Sequence, residues 1–281
     1  MVLSHTDCHV DYSTPVVALP PVPAAAPADT DLALETVEVW GLHLASLDTE
    51  ATLDLVDRMI RRGRPGFFIT ANLHYARLTA GSQYLRELNE RAAFMTADGM
   101  PLVWQARRQR QPLPQRVAGS DLVHLMCKQA ALRGHRVFFL GGDEGVAAEA
   151  ARRLKEKNPL LPVAGVASPS FREMSSQDHE ALVARIRSTR PDILFAALGQ
   201  PKGEVWLDHH CAALGVPVCV QIGASLDFIA GHARRAPRWM QRSGLEWFHR
   251  MAGDPRRLAP RYFQDALFLL RKVAGGWIRR P

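Results

Sequence analysis

The feature that most constrains this chain is its regular alternation of short apolar runs with segments of helical period. "GFFITAN", "HRVFFLGG", "LPVAGVA", "DILFAALG" and "PVCVQIG" are compact apolar stretches bounded by Gly, Pro or polar residues. Between and beside them lie "AGSQYLRELNERA", "SDLVHLMCKQAALRG", "GVAAEAARRLKEKNP" and "SQDHEALVARIRSTRP", with apolar residues three and four apart. "AFMTADGMPLVW" reads as a further strand, a turn and the start of a helix. Strands separated by whole helices cannot pair as hairpins, so the pattern predicts βαβ units and a parallel sheet. The strands do not alternate polar with apolar, which requires helices on both faces of that sheet.

The ends of the chain differ from this body. Residues 1–33 are rich in Pro, Ala and Thr and lack the apolar content to order themselves, so a disordered tail is expected there. Regular structure is expected from "TVEVWGLHL" onward. The helix "ATLDLVDRMIRRG" should stop at Gly63, and "SDLVHLMCKQAALRG" should start on Ser120 as N-cap and stop at Gly134. Residues 34–231 form the expected catalytic body and residues 232–281 a basic appendage. The appendage holds twelve Lys and Arg against three Asp and Glu, a local +9 in a chain whose net charge is +7. A near-neutral body with one cationic end implies a local anionic partner: a phospholipid surface, a diphosphate or RNA.

The four cysteines, Cys8, Cys127, Cys211 and Cys219, make no CxxC pair and read as small hydrophobes in a reducing compartment. No apolar run is long enough to span a bilayer. "VVALPPVPAAAPA" lacks the basic lead-in of a signal peptide and is broken by prolines, so a cytoplasmic protein is expected.

In parallel sheets ligands sit beyond the carboxyl ends of the strands, which directs attention to the strand exits. Asp98, ahead of Gly99, is placed to be either a general base or a helix N-cap. Thr70 and Asn72 offer hydrogen-bonding groups at a second exit. Gly141 and Gly142 form a glycine-rich turn before a helix, a tight turn or a phosphate contact; the spacing is neither Walker A nor GxGxxG. Lys202 could meet a phosphate, and Glu204 suits a helix N-terminus or a sugar hydroxyl, or both belong to an exposed capped turn. Asp227 follows the last strand. Asp29–Asp31 imitate a metal-binding DxD but lie in the Pro/Ala tail. His209 and His210 are adjacent and diverge on a helix, so no metal site is expected.

Taken in order, "TANLHY", "ADGMPLVW", "RVAGSDLV", "FFLGGDEGVAAEAA", "LGQPKGEVW", "DFIAGHARRAPRWMQRSGLEWFHR" and "DPRRLAPRY" resemble the WecG/TagA/CpsF glycosyltransferase family over residues 37–262. The resemblance implies a Rossmann-like α/β fold with a basic helical C-terminal appendage. It also implies an inverting, metal-independent transferase without a cofactor, which moves N-acetylmannosamine, its uronic acid or a related hexose or uronic acid from a UDP-sugar to a polyprenyl-diphosphate-linked acceptor. Such an enzyme would work at the inner face of the bacterial plasma membrane, on surface polysaccharide. By position, Asp98 matches the family's base, Thr70 and Asn72 its polar pair, and Arg116 a pocket arginine. Arg250 and Arg257 match appendage arginines facing the diphosphate, and Arg235, Arg261 and Trp239 are expected to join them at the acceptor or membrane. Trp247 and Trp277 suit an interfacial position, and "FQDALFLLRKVAGGWIRR" an in-plane amphipathic helix, unless that segment packs on the protein's own body or on a neighbouring subunit. A homo-oligomer stays open. The chain departs from the family pattern at Gly203, where Gln is usual, at Ser170, where an aromatic is usual, and in "GASLD".

Two rival readings are weaker. An RNA- or nucleotide-binding module would use the arginine–aromatic tail, but no RNA-binding motif is present, so nucleic acid is not the expected partner. A dinucleotide-dependent dehydrogenase would need GxGxxG after the first strand.

Overall fold

The structure, a computed structural model, describes residues 34–171 and 173–278, with the side chains of Arg242 and of residues 275–278 outside the description. The expected tail of residues 1–33, with Cys8 and Asp29–Asp31, and the side chain of Trp277 therefore lie outside the described residues.

The chain enters through a hairpin, β1 (Thr36–Val39) and β2 (Leu42–Ala45). Its two-residue turn, Trp40–Gly41, has positive φ at both positions, the geometry that matches the twist of paired strands. Six strands then form one parallel sheet: β3 (Phe67–Ala71), β4 (Met95–Ala97), β5 (Val137–Gly141), β6 (Val163–Ala167), β7 (Ile193–Ala197) and β8 (Val218–Gln221). Their spatial order is β4-β3-β8-β7-β5-β6, and every pairing is parallel.

Successive residues of each strand point to opposite faces and build two cores. Phe67, Ile69, Phe138, Leu140, Leu194 and Cys219 pack on one side; Phe68, Val137, Phe139, Phe195, Val218 and Val220 pack on the other. The first face is covered by α2 (Leu73–Ala80), α3 (Gln83–Arg91), α4 (Met100–Arg108), α7 (Ser176–Ser188) and α8 (Lys202–Leu214). The second lies under α1 (Thr49–Arg62), α5 (Gly119–Arg133), α6 (Val146–Lys157) and α9 (Ser225–Ala230). The expected α/β architecture, helices on both faces of a parallel sheet, is what the structure shows.

Most helix ends follow their side chains. Asp48 caps α1 by accepting from the Ala51 amide at 2.8 Å, and Gly63 ends it in the left-handed region. Ser175 and Asp178 form a reciprocal capping box on α7. The expected Ser120 cap on α5 is corrected: Ala118 is the N-cap and makes no side-chain bond. The Ala118 carbonyl already accepts from Leu122 at 2.9 Å, so the helix begins ahead of Ser120. Gly119 allows this, because a Cβ there would lie 3.0 Å from the Thr70 hydroxyl. The helix α2, eight residues after "TAN", is an element the apolar periodicity does not announce.

After Gly231 come α10 (Arg238–Arg242), α11 (Glu246–Gly253) and α12 (Pro255–Ile278). Only Ala236, Leu258 and Asp265 are buried among the described residues of this appendage. Asp265 is only 3% exposed. It accepts from Arg77 Nε at 2.7 Å and lies 3.2 Å from His74 Nδ1, both on α2. Burial works to raise the Asp265 carboxyl, but His74 and Arg77 outweigh it and hold the group below its usual value. Phe268 adds an edge contact to Trp40 of the hairpin at 5.8 Å. Thus α12 packs on the body through one face, while Phe263 and Leu270 stay exposed. No described helix is long and apolar enough to cross a membrane.

Candidate active site

The strand order sets out the exits in a row: Asp98 after β4, Thr70 and Asn72 at β3, Asp227 after β8, Lys202 and Glu204 after β7, and Gly141–Gly142 at β5. Neighbouring strands lie ~4.8 Å apart, so the rim from β4 to β5 spans about 19 Å. The body's candidate catalytic and donor-binding residues, apart from Arg116, therefore stand at these five exits.

Asp98 does not cap a helix. The N-cap of α4 is Gly99, without a side-chain bond, and the Asp98 amide donates to Ala71 across the strands at 2.7 Å. Its carboxylate is 27% exposed, with Arg116 Nη1 4.0 Å away. Withdrawal from water pushes the Asp98 carboxyl up to about 6; Arg116 opposes that rise, Glu246 adds to it, and the Gly119 amide and Arg250 oppose it. A group tuned in this way is ionised near neutral pH yet basic enough to take a proton.

Arg116 is held by three acids. Besides Asp98 it faces Asp121 at 3.5 Å and Glu246 at 3.3 Å. Arg235 faces the last two as well, Asp121 at 2.6 Å and Glu246 at 3.6 Å. Arg116, Asp121, Arg235 and Glu246 therefore close an alternating charge ring, two members from the body and two from the appendage. Arg235, singled out in the sequence as a residue facing the acceptor or membrane, has a side chain only 21% exposed in this ring.

Beside Asp98, Asn72 caps α2 by accepting from the Tyr75 amide at 3.1 Å and donates to Gln200 Oε1 at 2.7 Å. Thr70, 4% exposed, donates to the Gln221 carbonyl at 3.2 Å. Gln200 donates in turn to Glu204 at 3.0 Å. Glu204 is buried, and loss of hydration pushes its carboxyl up to about 7 against the pull of the local backbone amide, Gln200 and Arg261. Its Oε2 has no hydrogen-bond partner among the described residues. Gln221 is wedged against Gly203, where a Cβ would come within 2.2 Å of Gln221 Cγ, so this strand residue fills the space a side chain at 203 would need. Lys202 is exposed at the start of α8, and Ser170 is exposed after β6.

At the far end, Gly141 has φ 100°, and a Cβ there would strike the Ala197 carbonyl at 2.6 Å. The Gly142 amide donates to that same carbonyl at 3.2 Å, so it is engaged by the neighbouring strand. Asp227 is raised by burial and by Asp143 of this turn, against His232, Arg257 and Arg250. Arg250 lies over the Phe228 ring at 5.6 Å, which seats an appendage guanidinium at the rim. Arg257 pairs with Asp254 at 2.6 Å and remains 75% exposed. Arg261 is half-buried beside Tyr262, 3.8 Å from Asp265, turned toward the contact between α12 and α2. Trp239, 63% exposed, Trp247 and Phe248 stand outward. Among the described residues no three His, Cys, Asp or Glu side chains are grouped to hold a metal ion.

Sequence reading missed Gln200, Gln221, Asp121 and Glu246. Gln200 lay within a quoted motif, but its neighbours Thr70 and Asn72 are about 130 positions away. Glu246 carried one signal, being one of only two acids among eight arginines between His232 and Tyr262.

A buried parallel sheet with a row of polar and charged groups at its carboxyl rim, met at one end by a cationic appendage, defines an α/β protein with its candidate site at the strand exits. The chain matches the Glycosyl transferase WecG/TagA/CpsF family over residues 37–281. Two Staphylococcus aureus proteins, from strains MW2 and NCTC 8325 / PS 47, are each 30% identical over 192 residues, 68% of this chain and 74% of theirs. Both are named N-acetylglucosaminyldiphosphoundecaprenol N-acetyl-beta-D-mannosaminyltransferase. The chain belongs to the WecG/TagA/CpsF family of glycosyl transferases.

Proposed function

We propose that this glycosyl transferase moves a sugar of the N-acetylmannosamine or uronic-acid class from a UDP-sugar to a polyprenyl-diphosphate-linked glycan, with inversion and without a metal ion. The observation that carries the reading is Asp98: a carboxyl raised to about 6, free of capping duty, beside guanidiniums that the appendage brings to the same rim. The relatives' name supplies the acceptor class, a sugar on an undecaprenyl diphosphate.

Asp98 takes the proton of the acceptor hydroxyl as its oxygen attacks the anomeric carbon. The bond from that carbon to the UDP oxygen breaks, and UDP leaves with the electron pair. Thr70, Asn72 and Asp227 line the donor's path along the rim, and Glu204 braces Asn72 through Gln200. Lys202, on a long side chain, offsets the charge of the departing diphosphate, and the β5 turn shaped by Gly141 and Gly142, farther along the rim from the base, receives the nucleoside end of the donor. Arg116 sits between the base and the appendage. Arg250 and Arg257 meet the acceptor diphosphate, with Arg235 and Arg261 bracing the appendage from within. Residues 34–231 act as the catalytic body and 232–281 as the membrane-facing arm. Exposed Trp239, Trp247, Phe248, Phe263 and Leu270 beside many arginines suit a peripheral contact with an anionic bilayer at the inner membrane face.

The test is Asp98→Asn. A general base contributes about 10²–10⁴-fold, so turnover should fall by roughly 10³ while UDP affinity stays within about twofold. Turnover equal to wild type would end the assignment.

A further inference from the structure

We infer that Glu246, carried by the appendage, is a positioning residue for the catalytic base: it draws Arg116 away from Asp98 and so keeps that carboxylate free to take a proton. The inference rests on the reading of Asp98 as base.

The geometry supplies the reason. Arg116 Nη1 lies 3.3 Å from Glu246 and 4.0 Å from Asp98, so one guanidinium nitrogen is shared unequally between two acids. The same nitrogen reaches the Asp98 backbone carbonyl at 3.4 Å, which keeps the guanidinium beside the base without a close carboxylate pair. Arg235 anchors Glu246 from the other side at 3.6 Å and is itself fixed to Asp121 at 2.6 Å. Members of the ring are partly withdrawn from water, with Arg116 and Glu246 side chains 17% and 20% exposed, so screening between them is incomplete. Without Glu246, no acid among the described residues of the appendage competes for Arg116. The guanidinium would close on Asp98 as an ordinary ion pair, which stabilises the carboxylate and weakens it as a base.

The charged groups facing Asp98 come from three places: Arg116 and the Gly119 amide at the start of α5, Arg235 ahead of α10, and Glu246 and Arg250 on α11. Removing a negative and removing a positive member must therefore move the base in opposite directions. A purely structural ring would lower stability or raise KM for both variants and would not separate them by sign.

The experiment is the pH profile of kcat/KM for the full chain, with UDP-sugar and a lipid-diphosphate acceptor in detergent, for wild type, Glu246→Gln, Glu246→Asp and Arg235→Gln. In Glu246→Gln the acid limb should move down by roughly half a pH unit or more, with the plateau kcat several-fold lower. Glu246→Asp keeps the charge and should leave the limb near its wild-type position. Arg235→Gln should move it up. If one of these variants does not fold, the sign of the other still decides. A limb unmoved in folded Glu246→Gln, or moved the same way in Glu246→Gln and Arg235→Gln, overturns the inference. If Asp98→Asn instead keeps wild-type turnover, the base assignment has failed, a result separate from either of these.

Discussion

The body and the appendage are held in place by different forces. The body's sheet strands are almost wholly buried apart from the half-buried edge strand β6, and two apolar cores enclose the sheet. The appendage buries only Ala236, Leu258 and Asp265 among its described residues, and one of those is an acid. Beside the Phe268–Trp40 contact, it attaches through ionic contacts: the ring around Arg116 and the Asp265 node with His74 and Arg77. Apolar burial is indifferent to pH and only weakly affected by moderate salt, whereas ionic docking responds to both. The difference teaches that the two parts should separate under conditions that leave the sheet intact. On the proposed function, the donor site lies on the rigid part and the acceptor site on the adjustable part.

The largest effect is expected at the node. Asp265→Asn leaves His74, Arg77 and half-buried Arg261 facing a neutral amide, a change that costs about 3 kcal/mol for a buried partner. Amide exchange in α12 should therefore accelerate by roughly 100-fold, while β5 and β7 keep their protection. Acid should act in the same direction. Asp265 is held below its usual value, so its contribution is fully present above the ordinary carboxylate value and is lost as the pH falls through the lowered one. Equal loosening of sheet and appendage would break the comparison.

An effect of similar size tests the body's own weak point. Glu204 is raised to about 7 by burial, so the folded state favours its protonated form. Its contribution is present below the ordinary Glu value and is lost as the pH rises through about 7. Between those limits Glu204 should remove about 3 kcal/mol of stability, and Glu204→Gln should flatten the fall in Tm. The same scan with α12 exchange as readout should show no comparable step, which sharpens the contrast between a body loosened by base and an appendage loosened by acid.

The smallest effects lie at two serines of the body. Ser175→Ala removes a capping box and should cost about 1 kcal/mol. Ser120→Ala touches no cap and should cost under about 0.5 kcal/mol in chemical denaturation.

These serines show what could be read from the chain. The sheet and most helices were legible, because Phe138, Phe139 and Leu140 or Leu55, Val56 and Met59 follow a simple apolar period. The rim was legible too, since a parallel sheet brings its carboxyl exits to one edge wherever they fall in sequence. Ser120 misled because a tight approach of Gly119 to Thr70 sets the helix start, a contact between residues 49 positions apart. The direction of the arginines was not legible. Composition gives the appendage its charge, but only the partners Asp121, Glu246 and Asp265 decide that Arg235 and Arg261 turn inward while Arg257 stays exposed.

The division of labour between rigid rim and cationic arm is tested most directly by steady-state kinetics of the full-length Arg250→Ala/Arg257→Ala double variant at plateau pH. Removing two charge-assisted phosphate contacts should raise KM for the lipid-diphosphate acceptor by at least roughly tenfold, with KM for the UDP-sugar within about twofold of wild type. A raised donor KM with an unchanged acceptor KM would contradict it.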